Sequence, residues 1–425
     1  MRRALLLPLA LLCLGARPIT VASSRYQGQS KKPLVQLLPT VPDTLQAAGT
    51  LAGTRGQAVT VVRATARTCI NSNGTLLSVA VDTPCVEAAG LSVAPTRENL
   101  KTRSQEWDLA PWVIQFSAGP LTPVVTANAG TAPDGTLTAE QLDFAATPNV
   151  NQVSMIRSGS VTTTDGSAYT FSLYAKGVSG SGTFYSSVFD SQWNTVGCAY
   201  NATTWTRCTL TRTVSAAGID WLIGADRRDA QQLAQPANSV YLWGAQIELG
   251  SSPTRYVATG AATATVNAER VSIANPIPSG TPFCVGATYT PRERTWITAG
   301  AGNTLFALGT SGGASTNTLQ ASVSSTGELV VTVNDAAADT KTWTTAAVLT
   351  GTTAGHVTVC SSAAGAVTLY LDAVLVSATT SGTGTGILTT QPGTLYLGSR
   401  GAGTNHLGGH ISNLCVEKRL GKCLR

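Results

Sequence analysis

The chain has 425 residues, of which 43% are hydrophobic and only 12% charged, with 42 glycines and a formal net charge of +6. That length allows two or three domains with cores of their own, and the glycine-rich, Thr/Ser/Val-rich mixture disfavours long amphipathic helices and predicts an all-β fold. Three of the positive charges, Arg2, Arg3 and Arg17, lie in the first 22 residues and no dense basic stripe follows them, so no nucleic-acid partner is expected.

In chain order, "MRRALLLPLALLCLGARPITVASS" joins two arginines to an apolar run and then small residues, which predicts a secretory signal peptide over 1–22. The mature protein is therefore expected to be secreted, extracellular or at the cell surface. No later apolar stretch reaches the roughly 20 residues of a membrane span. Without Cys13 an even set remains: Cys69, Cys85, Cys198, Cys208, Cys284, Cys360, Cys415 and Cys423. An oxidising compartment makes these a disulfide set. Spacing suggests local bridges across hairpins, Cys69 to Cys85 and Cys198 to Cys208, whereas no CxxC pair points to zinc.

Residues 23–44 read as a linker. A small β unit is expected over 45–100, where "NSNG" separates two β-rich runs. From 101 to 259 a sandwich is expected: "YTFSLYAK" alternates strictly, "TDG" and "APDGT" mark turns, and "VYLWGAQIELG" forms the last strand. That strand is read as closing the sandwich edge, with Tyr241, Trp243, Ala245, Ile247 and Leu249 on one face, before Pro253 stops the ladder. A linker of small residues over 260–270 and a second sandwich over 271–425 complete the chain. "LYLDAVLV" is the clearest alternation in the latter.

The span from about 60 to 259 resembles exported or phage-tail-associated β proteins. The resemblance rests on Arg63 and Ala64, "ENL" at 98–100, Trp112, "PDGT" at 133–136, "YTFSLYAK", "WTR" at 205–207 and "WGAQIELGSSPTRYVAT". It implies a galactose-binding-like jelly roll of the kind used by carbohydrate-binding modules. The C-terminal body is similar to laminin-G and pentraxin-like concanavalin sandwiches, on "PFCVGATYTP", "HVTVCSSAAGAVTLYLDAVLV" and "LGGHISNLCVEKRL". This likeness implies that Cys284 bridges Cys360 and leaves Cys415 for Cys423. The pattern departs at Ala373, where a glycine usually makes the turn, and no dense carboxylate cluster like the pentraxin calcium site is present. No cofactor is expected, and nothing in the sequence supports a calcium site.

The inventory argues against catalysis. The three histidines, His356, His406 and His410, all lie in the last body, and "HLGGH" lacks the glutamate and helical setting of a metalloprotease motif, so its histidines are read as incidental to a loop. Residues 271–420 lack the Glu-x-Asp alternation of concanavalin-like glycosidases, and Asp226 and Asp229 in "ADRRDA" are read as a solvated turn. Trp112, Trp221 and Trp243 sit in apolar strand contexts as core. Trp193, Tyr200 and Trp205 cluster instead in the polar stretch "DSQWNTVGCAYNATTWTRC", the expected ligand platform, stiffened by the Cys198–Cys208 bridge. Asn73 and Asn201 head glycosylation sequons. The expectation is a secreted, non-catalytic protein binding a polysaccharide or surface glycan. An adhesin-like or tail component that contacts surface proteins is the second reading, and a glycan hydrolase the third.

Overall fold

In a computed structural model the described residues are 58–71, 74–116, 121–275, 277, 281–291, 303–309, 316–335, 337, 339–347, 349, 353–389, 393–399, 406–418 and 423, with the backbone of strands at 35–36 and 51–52. The expected signal peptide and the sequon residue Asn73 lie outside them. Every regular element described is a strand, so the fold is all-β.

The jelly roll has two antiparallel sheets. One runs Val124–Gly130, Ala139–Phe144, Asn238–Leu249, Ala168–Gly177, Thr206–Thr213. The other runs Trp193–Asn201, Ser181–Phe189, Gly218–Asp226, Val153–Arg157, Val113–Phe116, with Val161–Thr162 on the third strand's far end. Phe171, Leu173, Phe184, Val188, Trp221, Ile223 and Ile247 fill the space between them, and burying each such side chain contributes about 1.5–3 kcal/mol. Trp107 and Trp112 stack at 4.6 Å on this core.

The strand Asn238–Leu249 lies in the middle of its sheet rather than at the edge, and its apolar residues do not share one face. Register against Ala168–Gly177 shifts between Ser172 and Tyr174, and Gly244 takes a φ of 68°. This β-bulge inserts one residue and reverses the alternation. Before it, Val240 and Leu242 point into the sandwich while Tyr241 and Trp243 point out; after it, Ala245 and Ile247 point in. The outward Trp243 packs on Tyr256 at 4.4 Å, in a cluster with Ala132, Ala139 and Leu76. The Tyr256 hydroxyl bonds the Ser104 hydroxyl at 2.6 Å.

The second sandwich packs a sheet built around Phe283–Pro291, Gly355–Ser361 and Gly409–Glu417 against a longer one that includes Arg270–Ala274, Asn303–Leu308, Thr318–Val323, Glu328–Asn334 and Thr394–Leu397. Strands from the segment 45–100 join both sheets. Ala58–Val62 pairs with Arg270–Ala274, and Gly90–Val93 pairs with Gly409–Glu417. Arg67–Ile70 and Leu76–Val79 form a hairpin that sets Leu76 against the Trp243–Tyr256 cluster. Within 260–270, Ala264–Val266 pairs with Arg97–Asn99. The jelly roll thus leaves and re-enters through two adjacent strands.

Four disulfides are present: Cys69–Cys85, Cys198–Cys208, Cys284–Cys360 and Cys415–Cys423. Cys198–Cys208 does not cross a hairpin within one sheet, because Trp193–Asn201 and Thr206–Thr213 are edge strands of different sheets. It rivets the two layers together. Two buried ionic clusters link the bodies. Glu269 accepts from Arg63 and, at 2.5 Å, from Arg67, while Glu87 accepts from Arg255 and, at 2.8 Å, from His410. His410 is therefore a buried partner on a strand, not an incidental loop residue. Burial opposes the ionised form of Glu87, but hydrogen bonding from His410 and the charge of Arg255 outweigh it and hold the carboxyl at about 2. Among the described residues, the group close enough to hold a metal is Cys69, Cys85 and Glu87; both sulfurs are spent in the disulfide.

Candidate functional site

The sheet alternation decides which side chains face out of the jelly roll. Val188 and Trp221 point into the core, so Phe189, Ser187, Asp220 and Leu222 point to the opposite side. Register places Phe189 beside Trp193 on one neighbour and Asp220 on the other, and Leu222 beside Ser187 and Arg157. Four strands therefore contribute side chains to one outward face.

At one end of this face the turn 226–232 folds back over the sheet. Leu233 donates its amide to the Tyr185 hydroxyl at 2.8 Å, Gln232 reaches Ser187 at 3.1 Å, and Met155 and Val153 are buried. Asp226 and Asp229 are consequently buried as well, at 1% and 2% exposure, rather than solvated. Asp226 pairs with Arg228 at 2.5 Å, and Asp229 accepts from Thr195.

The other end stays open. Phe189 is 43% exposed, and its ring lies 4.9 Å from that of half-buried Trp193, which rests on Val153, Met155 and Leu222. Asp220 and Arg157 form a half-buried ion pair at 3.3 Å alongside. The turn between the two aromatics is anchored from beneath. Asp190 accepts from Arg212 at 3.2 Å through two nitrogens and from the Ser215 amide at 2.9 Å. Burial raises the Asp190 carboxyl, but these bonds win and hold it below the usual carboxylate range. Two ring faces on a fixed turn, with a carboxylate and a guanidinium beside them, can stack apolar CH surfaces and bond hydroxyls.

The three aromatics expected to form one platform are separated. Trp193 stands on this face. Tyr200 is buried, its ring against Phe184 at 6.3 Å, because it sits on the core-facing parity of its strand. Trp205 packs against the Trp243–Tyr256 cluster, outside the other sheet. Phe189, Asp220 and Arg157 were missed; the signal for Phe189 was available in "TFYSSVF", where an apolar residue on the solvent parity is out of place.

Residues 294–420 match the family model described as the concanavalin A-like lectin/glucanases superfamily. No curated protein matches the chain. Among solved structures, the chain is similar to the CBM40 of the Ruminococcus gnavus IT-sialidase bound to α2,3-sialyllactose, at 15% identity over 33% of this chain and 77% of that one, with a TM-score of 0.27. It is also similar to domains LG4-5 of the mouse laminin α1 chain, at 13% identity over 60% and 82%, TM-score 0.21. A third is the tandem CBM22 domain of Paenibacillus barcinonensis Xyn10C, at 11% identity over 76% and 99%, TM-score 0.26. No helix among the described residues is long and apolar enough to cross a membrane.

Proposed function

We propose that this is a secreted glycan-binding protein without catalytic activity, acting outside the cell or at its surface, whose jelly roll stacks a sugar ring on Phe189 and Trp193. The observation that carries the reading is the open, rigidly anchored aromatic pair. Water-facing rings are costly to order unless the backbone beneath is already fixed, and the bonds to Asp190 fix it. The lectin/glucanase family match over 294–420 supports a second glycan contact on the other sandwich, which would raise apparent affinity by multivalency. Four disulfides suit an extracellular protein.

The test is a glycan array followed by calorimetry on the leading hit. Single-site affinities on the order of micromolar to millimolar are expected, or about 4–8 kcal/mol. Phe189→Ala should abolish detectable binding at a stability cost below about 1 kcal/mol, and Trp193→Ala should abolish it at a cost of about 1–2 kcal/mol, since the indole is half-buried. Trp205→Ala should leave affinity intact and lower stability. An array with no hits would favour the adhesin-like reading through surface proteins, and release of reducing ends from a polysaccharide would favour the hydrolase.

A further inference from the structure

A cavity of about 670 Å³ opens at the opposite end of the strands that carry Phe189 and Trp193. Ser181 pairs with Asn201 at one end of that hairpin and Phe189 with Trp193 at the other. Seven residues separate Gly182 from Phe189, so at about 3.3 Å per residue the cavity lies some ~23 Å from the aromatic pair. The two cannot share one sugar ring.

The cavity is built. Its floor is Tyr200, whose ring fills the space left by Gly182, where an added Cβ would lie 2.5 Å from the tyrosine hydroxyl. Its walls include Asp143, Ser181, Thr183, Gln235 and Asn238. Asp143 is the one charged residue among those lining it. Its carboxylate is oriented by Gln141, which donates to both oxygens at 3.1 Å, and by the Ser239 hydroxyl. No lysine, arginine or histidine among the described residues pairs with it. The side-chain oxygen of Asn238 is buried in the wall and accepts no hydrogen bond, an arrangement native proteins keep to a few sites.

We infer that this cavity is a second ligand site, separate from the aromatic face, that takes a hexose-sized polyol which is neutral or carries an ammonium group and excludes anionic sugars. The volume falls in the range of about 300–1,000 Å³ typical of small-ligand pockets. A buried Asn238 oxygen without a donor, beside a carboxylate without a cationic partner, calls for a ligand rich in O–H or N–H. A lone carboxylate in a partly desolvated cavity attracts an ammonium and repels a uronate, whose charge would stand unpaired beside it. The choice of a sugar as ligand rests on the glycan reading; the charge selection does not.

The test titrates D-glucosamine, D-glucose and D-glucuronate into isotope-labelled full-length protein and follows amide shifts at 179–183 and 235–239. Glucosamine and glucose should perturb these amides, glucuronate should bind at least 10-fold more weakly, and Asp143→Asn should weaken glucosamine about 10-fold while sparing the ligand of the aromatic face. Phe189→Ala should leave these shifts unchanged. Equal or tighter glucuronate binding, an unaltered glucosamine affinity in Asp143→Asn, or no perturbation by any of the three overturns the inference. Array binding that survives Asp143→Asn and is lost in Phe189→Ala would then leave the aromatic-face reading standing alone. Cavity binding without array hits would sink that reading instead.

Discussion

At the scale of single residues, the departure at Ala373 has a structural cost. Leu371 pairs with Val374 across a two-residue turn, and both turn residues take left-handed conformations, Asp372 at φ 48° and Ala373 at 65°. Such a turn favours glycine, because a Cβ in this region costs about 1–2 kcal/mol. Glycine would relieve that strain but lose about 0.4–1 kcal/mol through the freer unfolded chain. Ala373→Gly is therefore expected to stabilise by roughly 0.5 kcal/mol in denaturant titration; a loss of stability would mean the turn is not strained. Glu140 gives a pH signature. Burial, with the nearby charges of Asp108 and Glu106, pushes its carboxyl up to about 8, against a hydrogen bond from the Asn128 amide. The folded state thus holds a proton that the unfolded state releases near 4.5, so stability falls as pH rises from about 4.5 through 8. Glu140→Gln should match the wild type near pH 4 and exceed it above pH 8, flattening melting temperature against pH. The residue level was partly legible: Trp193 announced itself by its polar neighbours, whereas Asp143 and Asp190 resemble any loop or strand acid until tertiary packing shows what they touch.

At the scale of elements, the strands were readable because apolar and polar side chains alternate between the two faces, as in Tyr169–Lys176. The reading failed at Asn238–Leu249, where a single inserted residue exchanges the faces. Only Gly244 hinted at it, and a lone glycine in a strand is a weak signal. The bulge is what lets Trp243 leave the sandwich and meet Tyr256. A Cβ on Gly244 would come within 3.3 Å of both the Tyr174 and Tyr256 rings, on a left-handed backbone. Gly244→Ala is accordingly expected to cost about 1–3 kcal/mol, measured by thermal or urea unfolding. A neutral effect would show that the bulge relaxes to regular pairing. The Cys198–Cys208 bridge likewise needed the sheet assignment, because spacing alone cannot tell a crossing within one sheet from a rivet between two.

At the scale of the whole molecule, the buried charges bind the jelly roll's exits to the second sandwich. Glu269 sits at 1% exposure with both arginines, so Glu269→Gln leaves two guanidiniums short of a counter-charge and should cost about 3–5 kcal/mol, as removal of one partner from a buried pair does. Calorimetry should show one transition in the wild type and its separation into two in this variant; two transitions already present in the wild type would show the bodies to be uncoupled. None of this coupling was visible in the sequence, since Arg63 and Glu269 lie 206 positions apart and nothing local pairs them. The same separation has a consequence in time. Ala58–Val62 pairs locally with Leu51–Ala52 but gains its second sheet partner only when Arg270–Ala274 has been made, and Gly90–Val93, paired locally with Val86–Glu87, waits for Gly409–Glu417. At about 5–20 residues per second of synthesis, the first wait lasts some 10–40 s and the second longer. The jelly roll can complete itself meanwhile, while each early strand holds only a short local partner and keeps its other edge open, a surface that pairs with other chains unless it is shielded.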